Sequence, residues 1–313
     1  MALGYRTLPG DRLVAGYNTL LAMVWAANIP RAGHAPWIAL AHLAAAALPW
    51  GFARVTRRPW GCFTALREIY PLVFLLAFWP ELDLLRDVLG PQGHDGVIAA
   101  LDRRLFGVSL HAIWLPSMDA VWLSELMFFM YYAYYGLIFL PPLYLALRGR
   151  SAAVRDIAFR LMATYLSCYL VYIAWPVYGP HFLSVAHAGP HTDGFFYGLV
   201  ASAQAAGDSH GCAFPSSHVA GAVTIAILGW RWFSRPVAWL FSLEALGVVL
   251  STVYTQNHYA FDALTGLVWA LVLQLALVPT MRRLLMGARD RRPLPVLPDF
   301  GPMLTSSRTT GGD

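Results

Sequence analysis

The chain has 313 residues, of which 58% are hydrophobic and 12% charged, with a formal net charge of +5 and a mean hydropathy of +0.52. Soluble domains carry about 25% charged residues, so the composition excludes an ordinary soluble domain and predicts an all-α, polytopic membrane protein. All 22 basic residues are arginine, which excludes lysine chemistry, and on so apolar a chain the positive charge sets orientation in a membrane and implies no nucleic-acid partner.

A membrane-spanning helix needs about 20 apolar residues. The first apolar stretch, 13–29, reads as a span and not as a cleaved leader, because further spans follow and no small-x-small site stands out. The second is 35–53, so residues 1–60 form an N-terminal pair ahead of a further unit over 61–285. The third, 67–80, is short, and Arg67-Glu68 at its inner end reads as a local anchor. Residues 81–120, with GHDG and LDRRLFG, predict one or two amphipathic helices on the membrane surface. Further spans are expected at 121–146, 157–178, 215–233, 236–256 and 260–281, about eight in all. Glu244 falls in the middle of the seventh. Residues 286–313 are polar and rich in Pro and Gly, and predict a disordered cytoplasmic tail.

Arginine placement orients this series. Arg54, Arg57, Arg58, Arg148, Arg150, Arg155, Arg231, Arg235 and the cluster after residue 281 all fall on one side of an eight-span chain. The positive-inside rule makes that side cytoplasmic, with both termini. The opposite side collects His181, His187, His191, Asp193, Asp208 and His210 in the arginine-free stretch 179–213, and Gln256, Asn257 and His258 in a short turn. Arg103 and Arg104 break the charge rule on that face, either as a solvated helix surface or as groups that hold phosphate. The Ala- and Arg-rich, Lys-free composition fits a high-GC bacterium and its inner membrane, which makes the active face extracytoplasmic.

Two motifs on that face carry the chemistry. In FPSSH, Pro215 suits a first helical turn, and Ser216 and Ser217 set hydroxyls beside free N–H groups at the positive end of a helix, a ready anion site. His218 sits in the same turn. In NHYAFD, His258 and Asp262 are four apart and share a helix face, so the carboxylate can fix one imidazole nitrogen and leave the other as base or nucleophile. Two histidines, a carboxylate and two helix starts suit phosphoryl transfer: one His attacks phosphorus and the other moves the proton of the leaving or entering oxygen. No cofactor or metal is called for, since imidazole is itself the nucleophile. Each motif alone has a plainer reading as interfacial polar residues, and His181, His210, His218 and His258 are also an alternative metal set. Cys62, Cys168 and Cys212 are odd in number and far apart, and support neither disulfides nor a thiolate site.

With these motifs the chain resembles the type 2 phosphatidic acid phosphatase superfamily. Pro215, Ser216 and His218 match its second motif, with Ser217 in place of glycine, and Ser251, His258 and Asp262 match its third, with Thr252 in place of arginine. The first, basic motif is missing; WPVYGPHF brings His181 where a basic residue is expected. LDRRLFG, YYAYYGLIFLPP, GPHF and the FPSSH/HYAFD pair are similar to the inositol phosphorylceramide synthase branch, over roughly residues 65–281. The resemblance implies a six-helix core, His258 as nucleophile, Asp262 as its orienter and His218 as general acid and base. The implied function is transfer of a phospho-head group from a phosphatidylinositol-like donor to a ceramide-like lipid hydroxyl. A lipid phosphate or polyprenyl diphosphate phosphatase is the alternative. A site stripped of Lys and Arg suits a singly charged phosphodiester better than a monoester. Asp208 reads either as a group holding the acceptor hydroxyl or as a turn former.

Overall fold

The computed structural model describes residues 8–55, 61–90, 92–118, 120–184 and 189–285. Among them the structure is helical, apart from an isolated parallel bridge between Val177 and Cys212. The elements are α1 (Pro9–Ala27), α2 (Ala35–Val55), α3 (Gly61–Leu89), α4 (Asp95–Phe106), α5 (Leu110–Ser117), α6 (Val121–Leu147), α7 (Ser151–Ala174), the single turn α8 (Pro180–Leu183), α9 (Phe195–Gly207), α10 (Ser217–Trp232), α11 (Arg235–Tyr254) and α12 (Ala260–Val272). α12 continues through a π-helical segment, Leu273–Leu277, into α13 (Val278–Leu285). The expected tail, Arg57, Arg58 and His187 lie outside the described residues.

Five segments are long and apolar enough to cross a membrane: Ala35–Phe52, Val121–Leu147, Ser151–Ala174, Arg235–Tyr254 and Ala260–Met281. They match five of the expected spans to within six residues at either end. α10 is only 16 residues long and is surrounded by α6, α7, α11 and α12. Its small residues, Ala220, Gly221, Ala222 and Ala226, are buried and let those neighbours approach closely. α10 and α7 therefore form the centre of the bundle, with α1 and α2 paired at one side.

α3 departs most from expectation. It runs for 29 residues instead of ending at 80. Its polar stretch is helical because its charges find partners across the bundle. Glu81 accepts from the Trp25 indole at 2.7 Å and lies 2.6 Å from His42 Nε2. Arg86 donates to the Gly90 and Tyr172 carbonyls. Arg67 and Glu68 are not a local anchor. Arg67 pairs with Asp11 of α1 at 3.2 Å and Glu68 with Arg155 of α7 at 2.8 Å, so the two tie three helices together. Hydropathy alone misses such a helix because it scores each charge as if it were unpaired.

The expected amphipathic surface segment is two short helices, α4 and α5. The stretch 179–213, expected as a loop, contains the 13-residue α9. Glu125 of α6 caps the start of α9, accepting from the Phe196 N–H at 3.0 Å. α4 ends at Gly107, whose φ of 75° is the left-handed conformation that glycine adopts without strain.

Candidate active site

α10 and α12 begin at the same end of the bundle. The Ser216 N–H donates to the Asp262 carbonyl at 3.1 Å, which joins one helix start to the other. Gly266 makes this approach possible: a Cβ there would lie 2.4 Å from the Ser216 carbonyl oxygen.

The FPSSH segment is shaped by its own hydroxyl and by one tyrosine. Ser216 is the N-cap of α10, its Oγ accepting from the Val219 N–H at 3.3 Å. The Tyr172 hydroxyl donates to the Pro215 carbonyl at 2.7 Å and accepts from the Ser217 N–H at 3.1 Å. Ser216 is fully buried as a cap, whereas Ser217 lines a cavity with His218. The peptide bond between Phe214 and Pro215 is cis.

In the second motif, the Thr252 carbonyl accepts from the His258 N–H at 3.0 Å and from the Asn257 N–H at 3.1 Å. Thr252, which stands where the resemblance expects arginine, thus fixes the turn through its backbone. Its own hydroxyl donates to the Val249 carbonyl. Asp262 Oδ2 accepts from the Tyr259 N–H at 2.9 Å, closing the first turn of α12. His258 Nδ1 lies 3.7 Å from the same oxygen, on the carboxylate side but beyond hydrogen-bond length. Both side chains are buried. With Nδ1 toward Asp262, Nε2 is the nitrogen left for chemistry. The His218 and His258 ring centroids are 5.7 Å apart, at 66°.

α6 supplies a shell of tyrosines around His218. Tyr131 stacks on it at 5.0 Å, Tyr134 lies at 4.5 Å and Tyr135 at 6.4 Å. The Tyr134 hydroxyl hydrogen-bonds that of Tyr165 in α7. Their spacing in YYAYY, i, i+3 and i+4, was a readable sign that one helix face presents aromatic rings to a common neighbour.

Two cavities adjoin beside His218, and His258 lines neither. One, of about 170 Å³, leads from Ser217 and His218 between Trp79, Tyr131, Tyr134 and Tyr169. The other, of about 530 Å³, is the more polar of the two, with His181, His191, Gln204, His210 and Gln256 among the apolar residues of its wall. Gln204, Gly207 and Asp208 line both. Burial raises the Asp208 carboxyl above its ordinary value, while His181, the Ser209 N–H, His258 and His210 pull it down. Neither wall contains an arginine.

The remaining expected residues take different places. His181 is exposed on α8 and reaches the polar cavity, not the histidine pair. Arg103 and Arg104 are exposed on the last turn of α4 and line neither cavity. His210 Nδ1 is 2.8 Å from Asp83, so the four-histidine metal alternative is not assembled. Among the described residues no group of three metal-ligating side chains comes together. Glu244 faces a separate groove between α6 and α11, and its Oε1 has no hydrogen-bond partner among the described residues.

Sequence reasoning passed over the face of α4 that turns inward. Asp95 accepts from the Tyr178 and Gly179 N–H groups at 3.0 and 2.8 Å. Asp102, fully buried, accepts from the Phe261 N–H at 2.9 Å. A sequence model of the PAP2 superfamily matches residues 96–276. No curated protein and no solved structure matches the chain.

Proposed function

The chain belongs to the PAP2 superfamily, and on that premise we propose that it is a membrane phosphotransferase that moves a phospho-head group from a phosphatidylinositol-like donor to a ceramide-like lipid hydroxyl. Family membership points to phosphatase or phosphotransferase chemistry on lipids. What carries the choice of transfer is the wall of the two cavities beside His218, which contains histidines, glutamines and tyrosines but no arginine. A phosphate monoester bears nearly two charges near neutral pH and calls for guanidinium clamps, whereas a diester bears one. The polar cavity also offers room for a head group that stays on phosphorus.

In this reading His258 Nε2 attacks phosphorus. The P–O bond to the diacylglycerol oxygen breaks, and protonated His218 gives that oxygen its proton. His258 then carries the phospho-head group as a phosphohistidine. The acceptor hydroxyl next loses its proton to His218 and attacks phosphorus, the N–P bond breaks, and both histidines return to their starting states. Asp262 holds the His258 ring and stabilises its positive charge. Ser217 and Asp208 line the space where phosphate and acceptor hydroxyl meet, Ser216 shapes the helix start, and His181 belongs to the head-group chamber. Arg103 and Arg104, on the exposed rim, attract anionic donor from the membrane surface. No cofactor takes part.

The test is to give the purified protein a phospholipid labelled in its head-group phosphate, with and without a hydroxylated lipid. Transfer predicts a labelled lipid product that depends on the acceptor. Free phosphate or free head-group phosphate as sole product would establish a phosphatase instead.

The same reading places α1, α2, α3, α6, α7, α10, α11 and α12 across the inner membrane of a bacterium, with both termini cytoplasmic and the two histidines outside. Ser209, in the arginine-free stretch, is buried; Ala206, at the end of α9, and Ser234, after α10, are exposed. We expect Ala206→Cys to react with an impermeant thiol reagent in intact cells, and Ser234→Cys to react only after lysis. The reverse pattern would invert the topology.

A further inference from the structure

α4 lies against the two segments that carry the catalytic groups. Asp95, Ile98 and Asp102 recur along one face, and Arg103 and Arg104 along the other. Asp95 reaches Tyr178, Gly179 and, at 3.4 Å, the Tyr259 hydroxyl. Ile98 packs with Val177, Ala213 and Tyr259. Asp102 binds the Phe261 N–H, one of the first-turn donors of α12 that has no partner within its own helix. Phe261 stands between His258 and Asp262, so this hydrogen bond acts on the turn that holds both.

The other oxygen of Asp102 is unusual. Oδ2 is buried and has no hydrogen-bond partner among the described residues. It faces His111 Nδ1 of α5, likewise buried and unpartnered, at 4.0 Å. The His111 ring stands edge-on to Tyr259 at 4.9 Å, and its carbonyl accepts from the Gln256 side chain at 3.1 Å. A second carboxylate–imidazole pair thus lies behind the first, with Tyr259 between them. The groups that face Asp102 are His111 from α5, Tyr259 before α12, and Asp262 in α12; Asp95 lies on its own helix. Burial lowers the proton affinity of His111, with Asp102 opposing.

We propose that Asp102 is a positioning residue for His258: it holds the first turn of α12 through the Phe261 N–H and places a fixed negative charge behind the His258–Asp262 pair. That charge faces the positive ring that His258 becomes once its Nε2 has bonded phosphorus. A bare helix N-terminus there would oppose that state. This role rests on the proposed reaction.

Two variants separate position from charge. Asp102→Asn keeps an acceptor for the Phe261 N–H and removes the charge; Asp102→Ala removes both. Steady-state and single-turnover kinetics, with His258→Ala alongside, are the measurement. We expect Asp102→Asn to leave the donor KM unchanged and lower kcat about tenfold, and Asp102→Ala to lower it about 100-fold, the scale of a small misplacement of a reacting group. In both, the loss should fall on the single-turnover rate of phosphohistidine formation and not on donor KM. A folded Asp102→Asn protein with wild-type kcat would overturn the proposal. So would a loss carried by donor KM with the phosphohistidine formed at the wild-type rate, which would make Asp102 a support of the fold alone. If Asp102→Ala does not fold, Asp102→Asn still decides. Full activity of His258→Ala would overturn the assignment of the site itself, whatever the Asp102 variants do.

Discussion

Replacing His258 with alanine should abolish transfer, with a fall in kcat on the order of 10⁴-fold or more, the scale of losing a covalent nucleophile. In the proposed reaction every bond change at phosphorus passes through its Nε2. The surrounding groups can bind a phosphodiester but cannot form the N–P bond. Incubation with donor labelled in the head-group phosphate, followed by denaturation, should leave an acid-labile, alkali-stable label on the wild-type protein and none on His258→Ala. The variant should still fold, because the Thr252 carbonyl holds the backbone N–H of residue 258 and not its side chain. The ring it deletes leaves a gap beside Asp262, so added imidazole should restore part of the activity. A variant that keeps full activity, or that labels as wild type does, sinks the phosphohistidine mechanism.

His218→Gln should lower kcat by about 10²- to 10⁴-fold, the usual contribution of a general acid or base. Glutamine roughly keeps the volume between Tyr131 and Tyr134 and so limits collapse of the tyrosine shell. The signature lies in the leaving group. A lipid alkoxide is strongly basic and needs a proton as it departs, whereas 4-nitrophenolate does not. With a 4-nitrophenyl phosphodiester donor, formation of the phosphoenzyme should recover most of its rate. Transfer onward to the acceptor hydroxyl should stay slow, since that step still needs a base. Equal losses on both donors at the first step would remove His218 from the acid role and leave it as a packing residue.

Much of this was legible in the chain itself. The approach of His258 to Asp262 was legible from their spacing, although His258 lies in the turn before α12 and not on a shared helix face, and Ser216 caps α10 where the sequence placed Pro215 in the first turn. The long apolar stretches are helices within six residues of their expected limits. α3 was less legible, because Glu81 and Arg86 look like the end of a span until His42, Trp25 and the Tyr172 carbonyl are brought against them. The motif LDRRLFG drew the eye to its two arginines, but the helix turns Arg103 and Arg104 to the outside and buries Asp102.

The sequence by itself determined what depends on neighbours along the chain: an apolar, helical class, the kinds of chemical groups available, and the order in which they fall on a turn. Such features follow from the helical period and from hydropathy, which are local. Only the tertiary structure decided which turn meets which. His218 and His258 are forty residues apart, and nothing in either motif sets a distance of 5.7 Å between their rings. That distance depends on Gly266 letting α12 approach Ser216, and on α4 holding the start of α12. Close packing between helices is a property of complementary surfaces, and a linear pattern of apolar residues does not encode which two surfaces fit.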